Sequence, residues 1–174
     1  MAPVKLFLTL LAALLLVSPV KAQVPDCGIL YDAETGALID WDPAEDGVEL
    51  DEYAVELLAC AIYCEAGADS ISDDTRRMVG DVILNRVDDP RFPDPVEGVL
   101  TQRAQYGRFH WTGVVWPARA SRDGESHAVD RAYRIARELL GGEHSALYGE
   151  GYIYQAEFRQ GSGVIMSDGI YFGR

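Results

Sequence analysis

One glutamate, Glu65, has the residue type and placement expected of a catalytic acid. Residues 51–66 carry apolar side chains at helical spacing, and the next step of that apolar stripe falls on Glu65. Burial on such a stripe and the negative end of the helix dipole would both raise the pKa of its carboxyl group. A carboxylic acid that keeps its proton near neutral pH can act as a general acid. Because Ala66 and Gly67 also suit an ordinary helix end, Glu65 turning out to water is the alternative.

Three cysteines bear on folding rather than on catalysis. Cys60 and Cys64 lie one turn apart on the same predicted helix, so a bond between them would cross-link almost nothing. In an exported protein we expect Cys27 to join one of the pair and to staple the N-terminal segment to the helix. Three free thiols are the alternative.

The sequence contains no group of residues that indicates a metal or cofactor site. His110, His127 and His144 are widely separated and lack the spacing typical of metal ligands. The sequence also contains no glycine-rich phosphate loop and no convincing nucleophilic triad. We therefore expect neither a metal nor a cofactor.

The N-terminal residues have the composition of an export signal. Residues 1–22 combine a basic start, an apolar run that is short for a membrane span, and small residues before Gln23, where we expect cleavage. An uncleaved N-terminal anchor is the alternative. The net charge of −13 argues against nucleic acid or an anionic membrane surface as a partner. We expect an exported, periplasmic or extracellular monomer that is not inserted in the membrane after cleavage.

Helices and a few short strands must position Glu65. We predict helices over 51–66, from 72–75 to about Val87, from a cap at Asp94 to about Gln102, and over 126–140. Asn85 lies on the apolar face of the second helix, and we expect it to tie down a neighbouring loop. Residues 103–125 form a long aromatic-rich loop whose rings, amides and arginines suit contact with sugars.

Strand-like runs flank the helical part of the chain. Residues 28–31 and 37–41 predict a hairpin inside an acidic arm, 23–50, while 152–156, 163–166 and 170–172 predict a β element near the C-terminus. The fold class is therefore α+β and mainly α. We expect a signal peptide over 1–22, the arm over 23–50 and one catalytic domain over 51–174.

Four blocks of sequence, in order, resemble the SleB/CwlJ-type cell wall hydrolases. The resemblance covers residues 57–172 and is most specific between 61 and 109. Near the C-terminus, where that family often has histidines, this chain has none. The blocks are Ala61-Ile-Tyr-Cys-Glu-Ala66, Val82-Ile-Leu-Asn-Arg-Val87, Arg91-Phe-Pro93, and Gly98-Val-Leu-Thr-Gln102 with Gln105, Tyr106 and Phe109.

The resemblance implies a lysozyme-like, mostly helical fold with a short β-hairpin near the C-terminus. It also implies an enzyme that cleaves peptidoglycan between N-acetylmuramic acid and N-acetylglucosamine. In that family the glutamate of the first block is the catalytic acid, and this residue is Glu65 here. The family's typical reaction is lytic transglycosylation, which leaves a 1,6-anhydro end on the muramic acid.

We expect the substrate groove to be lined from the aromatic loop and the C-terminal strands. Two other functions stay open at this point. One is a hydrolytic muramidase on the same fold that uses Asp74 and an activated water, although Asp73 and Asp74 also suit the start of a helix. The other is a non-catalytic peptidoglycan-binding protein. The predicted groove residues are Gln102, Gln105, Tyr106, Trp111, Tyr154 and Gln155.

Overall fold

The computed structural model describes residues 30–31, 38–39 and 49–174. The chain divides into two units, 1–39 and 40–174. In the first unit, β1 (Leu30–Tyr31) and β2 (Leu38–Ile39) pair antiparallel, which confirms the predicted hairpin. The predicted signal peptide, most of the acidic arm and Cys27 lie outside the described residues.

The second unit is built around α1 (Glu52–Ala66), whose bounds agree with the prediction. Asp51 caps this helix by accepting a hydrogen bond from the Tyr53 backbone N–H at 3.0 Å. Almost every residue between Val55 and Tyr63 is buried. The helix is therefore enclosed on all sides, whereas the sequence predicted burial of only one face.

Two long helices pack against α1. They are α2 (Asp73–Asp88), capped by Ser72, and α5 (Ser126–Leu140), and both agree with the prediction. Gly80 lets α2 and α5 approach closely, because a Cβ at this position would lie 2.2 Å from Leu139 Cδ1.

Short helical turns connect α2 to α5. These are α3 (Val96–Leu100), α4 (Phe109–Thr112) and a 3-10 turn over Ala118–Ser121, so the predicted long loop is partly helical. Asp94 does not cap α3 as predicted, because Pro95 occupies the cap position one residue later.

A three-stranded antiparallel sheet follows α5. It contains β3 (Tyr154–Ala156), β4 (Ile165–Ser167) and β5 (Ile170–Gly173) in the order β3-β5-β4. Phe172 of β5 is fully buried and packs in a cluster with Val79 and Val82 of α2. The sheet and the helices confirm the mainly α, α+β class, with a third strand where a simple hairpin was expected. Among the described residues no helix combines the length and apolar character that crossing a bilayer requires.

The prediction that Cys27 forms a disulfide bond with Cys60 or Cys64 is wrong. Cys60 and Cys64 are both free thiols, so no bond to Cys27 is formed at either partner that the structure describes. Cys60 is buried inside the core, and Cys64 is half-buried.

Candidate active site

Glu65 lies in the last turn of α1, where the buried helix reaches the surface. Its side chain is exposed, although its neighbours Tyr63 and Ala66 are buried. The surrounding protein still removes enough water to raise the pKa of the Glu65 carboxyl group, which agrees with the direction expected from the sequence. Solvent can reach this acid on one side while protein flanks it on the others.

Two side chains favour the charged form of Glu65. The Gln155 amide on β3 lies close enough to favour the carboxylate as a hydrogen-bond donor, and the positive charge of Arg86 on α2 acts on it through space. Both effects lower the pKa and oppose the effect of burial, which is the largest. Residues of α1, α2 and β3 therefore act on this carboxyl group. Burial stabilises its neutral form, and Gln155 and Arg86 stabilise its anion.

Arg86 is a buried cation that the sequence analysis did not identify. It is only 4% exposed, and its Nε donates a hydrogen bond to the Ile153 carbonyl oxygen at 2.7 Å. Its Nη1 donates to the Tyr106 hydroxyl at 2.9 Å, and its guanidinium lies over the Tyr106 and Phe92 rings. Within the described part of the chain no carboxylate forms an ion pair with it, so its charge is available to Glu65.

Tyr106 stands behind Arg86 and not at the surface. The side chain is buried, and this burial is the main reason that the pKa of its hydroxyl is raised, with the charge of Glu65 adding to the effect. Its observed contact is the hydrogen bond from Arg86. Tyr106 therefore positions the cation that acts on Glu65.

Asn85 ties the segment before β3 to helix α2. Its Nδ2 donates to the carbonyl oxygens of Leu147 and Tyr152, both at 2.9 Å, and its Oδ1 accepts from the Gly149 N–H at 2.8 Å. Because β3 follows this segment directly, the three bonds help to hold Gln155 in place.

The adjacent residues Tyr154 and Gln155 have different surroundings. Successive side chains of a strand point to opposite faces, so only one of the two can face Glu65. Gln155 is the residue that acts on Glu65. Tyr154 acts instead on Arg91, whose pKa is raised mainly by its hydrogen bonds to Asp89 and further by the charge of Tyr154. The structure thus brings Gln155, and not Tyr154, to the acid.

The other predicted groove residues lie on the connection between α3 and α4. Gln102 is half-buried and Gln105 is exposed. Trp111 on α4 is 78% exposed, and its indole contacts the His110 ring at a centroid distance of 4.4 Å. The structure gives no direct contact between these residues and Glu65.

Three buried polar atoms in the described residues have no hydrogen-bond partner in the protein. They are Gln102 Oε1, His110 Nδ1 and Gln155 Oε1. Buried polar atoms are nearly always paired, so each needs an explanation. Gln102 and Gln155 are both predicted substrate contacts, and Gln155 also contacts Glu65.

The acidic residues at the start of α2 form ion pairs with arginines. Asp73 pairs with Arg76 and Arg134, and Asp74 pairs with Arg77. The groups that shift the pKa of Glu65 include neither of these carboxylates. Among the residues that the structure describes, no cluster of three His, Cys, Asp or Glu side chains is placed to hold a metal.

Residues 71–163 match the family described as Cell Wall Hydrolase, and the chain belongs to this family. Membership assigns it an activity that degrades cell-wall peptidoglycan, with action in the periplasm or outside the cell. The matched region contains Asn85, Arg86 and Gln155, and it begins shortly after Glu65. No curated protein and no solved structure is similar enough to the chain to count as a match.

Proposed function

We propose that this protein cleaves glycan strands between N-acetylmuramic acid and N-acetylglucosamine by lytic transglycosylation, with Glu65 as its single catalytic carboxylate. The observation that carries the proposal is the surrounding of Glu65. An acid that solvent can reach has its pKa raised by burial, while Gln155 and Arg86 stabilise its anion. A group that first donates a proton and then accepts one needs both a neutral form and an anion that the protein stabilises.

In the first step the Glu65 carboxyl group donates its proton to the oxygen that links the two sugars. The bond from that oxygen to C1 of the muramic acid breaks, and the N-acetylglucosamine leaves as an alcohol. The carboxylate that remains is stabilised by the Arg86 charge and the Gln155 amide. In the second step it accepts the proton of the muramic 6-hydroxyl, whose oxygen attacks C1 and closes the 1,6-anhydro ring. Glu65 regains its proton and no water is consumed.

A single acid is sufficient for this reaction. Most hydrolytic glycosidases use a second carboxylate to activate water or to attack the sugar. None of the groups that shift the pKa of Glu65 is a carboxylate, and Asp73 and Asp74 are paired with arginines. These contacts favour the transglycosylase over the muramidase that would use Asp74.

Substrate contacts follow from exposure and from unpaired polar atoms. The exposed Trp111 indole offers a face for a sugar ring. The oxygens Gln102 Oε1 and Gln155 Oε1 have no protein donor and can accept from sugar hydroxyl or acetamido N–H groups. Gln105 is exposed and free to contact the strand, Tyr106 acts through Arg86, and a contact from Tyr154 would come from the other face of β3.

The proposal includes the predicted organisation of the chain. Residues 1–22 direct export and are removed, residues 23–50 form an acidic arm, and residues 51–174 form a catalytic domain that works as a monomer without a cofactor. Intact mass of the exported protein tests the cleavage before Gln23, light scattering tests the monomer, and activity in a chelator tests the independence from metal.

The decisive experiment compares Glu65→Gln with wild type on purified sacculi. We expect the rate of fragment release to fall by at least about a hundredfold, because the general acid is lost. The melting temperature should stay close to that of wild type, because the Glu65 side chain is exposed. Asp74→Asn is the matched control, since it removes an exposed carboxylate of the neighbouring helix that our mechanism does not use.

Mass spectrometry of the products separates the three functions. Anhydro-muramic ends from wild type and from Asp74→Asn support the proposal. Reducing ends together with an inactive Asp74→Asn would establish a hydrolytic muramidase. Wild-type protein that binds sacculi and releases no fragment would establish a binding protein.

A further inference from the structure

One segment of this acidic chain is strongly basic. Residues 98–122 contain four arginines and no aspartate or glutamate, although the whole chain has a net charge of −13. We call these residues the arginine segment. It begins within α3, contains α4 and the 3-10 turn, and its four arginines, Arg103, Arg108, Arg119 and Arg122, are all exposed.

The arginines of this segment differ from most others in their partners. Within residues 49–174, none of the four forms an ion pair with a carboxylate, although the chain offers an excess of acidic residues. Most arginines elsewhere in that range are paired. The paired ones are Arg76, Arg77, Arg91, Arg131, Arg134, Arg137 and Arg174.

Part of the arginine segment contacts the C-terminal end of α1, which carries Glu65. The Arg119 guanidinium lies 5.0 Å from the centre of the Tyr63 ring, and its charge acts on the Cys64 thiol next to Glu65. The Trp116 ring lies 5.5 Å from that of Tyr63, and the charge of Glu65 reaches the Tyr106 hydroxyl. The unpaired positive charges are therefore carried by the segment that borders the acid.

We propose that the arginine segment binds the carboxylates of the peptide stems that peptidoglycan carries on its muramic acid residues. This inference rests on the proposed function and names the form of the substrate that the enzyme prefers, namely strands that keep acidic stems. A neutral glycan has no group that would require these charges. Guanidinium groups bind carboxylates with two parallel hydrogen bonds, and the remaining acidic surface would repel the same stems.

The test compares substrates that differ only in their stems. Intact sacculi are compared with sacculi whose stem carboxylates are converted to amides. The protein variants are Arg103→Gln/Arg108→Gln and, as a matched control, Arg159→Gln, which removes an exposed arginine outside the segment that also has no ion pair. Arg103 and Arg108 are both exposed, so we expect the double variant to fold like wild type.

For wild type we expect cleavage of intact material to be about five- to tenfold faster than cleavage of amidated material at low salt, because exposed charge pairs contribute modestly. The ratio should approach one in the double variant and in 0.5 M salt, and should keep its wild-type value in Arg159→Gln. A wild-type ratio near one, or an equal loss in Arg159→Gln, overturns the inference.

Failure of the proposed function gives a different result. If wild type cleaves neither material, the glycosidase assignment is wrong, and sedimentation then decides the inference alone. Stronger binding of wild-type protein to intact than to amidated sacculi, reduced in the double variant, supports recognition of stems. Equal binding to both, or a preference that persists in the double variant, rejects it.

Discussion

Replacing Asn85 with leucine tests whether the segment before β3 is held by the hydrogen bonds of one side chain. The substitution keeps a similar volume and removes the two bonds to the Leu147 and Tyr152 carbonyl oxygens and the bond from the Gly149 N–H. Both residues that contribute the carbonyls are buried, whereas Gly149 is exposed and its N–H can turn to water. At about 1 kcal/mol for each lost bond, with an added cost for two buried unpaired carbonyls, we expect a loss of about 3–5 kcal/mol.

The free energy of unfolding is measured by urea denaturation followed by circular dichroism, and the exchange of the Gly149 amide hydrogen reports on the segment itself. Tyr148→Phe is the matched control, because it removes one exposed hydrogen bond to Asp88 from the same segment and should cost about 0.5 kcal/mol or less. A loss below about 1 kcal/mol for Asn85→Leu, with unchanged protection of Gly149, would refute the reasoning.

Three further predictions concern charges and thiols. Gln155→Leu removes a contact that favours the Glu65 anion, so the pKa of Glu65 should rise and the alkaline limb of the activity profile should move to higher pH; an unmoved limb contradicts the contact. Asp168 accepts hydrogen bonds at the N-terminus of α2, which lower its pKa to about 2 from an ordinary 3.8. Asp168→Asn should therefore be less stable than wild type at neutral pH. The difference in melting temperature should close as the pH falls from about 4 towards 2, because the carboxylate stabilises the folded protein only while it is ionised. A difference that stays constant over this range would contradict the capping role. Cys64 is half-buried with a lowered pKa, and Cys60 is buried with a raised one. Iodoacetamide should modify Cys64 in the native protein and Cys60 only after unfolding, as peptide mass spectrometry can check, and equal native labelling would contradict the packing of α1.

The helices could be predicted from the sequence because their signals are local. Asp51 and Ser72 cap the helices that they precede, and apolar spacing extends each helix to its observed end. The sheet order could not be predicted, since β5 lies between β3 and β4 and pairing at a distance leaves no local signal. The full enclosure of α1 also depends on helices that follow much later in the chain.

The residues of the candidate site also differ in whether the sequence could predict them. Glu65 stood out because a carboxylate interrupts an apolar pattern. Arg86 did not, because an arginine on an amphipathic helix is typical of an exposed position, and its partners Ile153 and Tyr106 come from distant parts of the chain. The only signal was its place directly after Asn85 in a motif block. The disulfide prediction failed because cysteine spacing does not report that Cys60 is enclosed in the core.

The enclosure of α1 has a consequence for how such a protein can change. Under the proposed function Glu65 lies at the end of a helix that the core encloses, so substitutions that destabilise the interior should also reduce turnover in random mutant collections. The arginine segment contributes exposed side chains from the periphery. Libraries restricted to those exposed positions would test whether recognition of differently decorated walls can change while α1 is left intact.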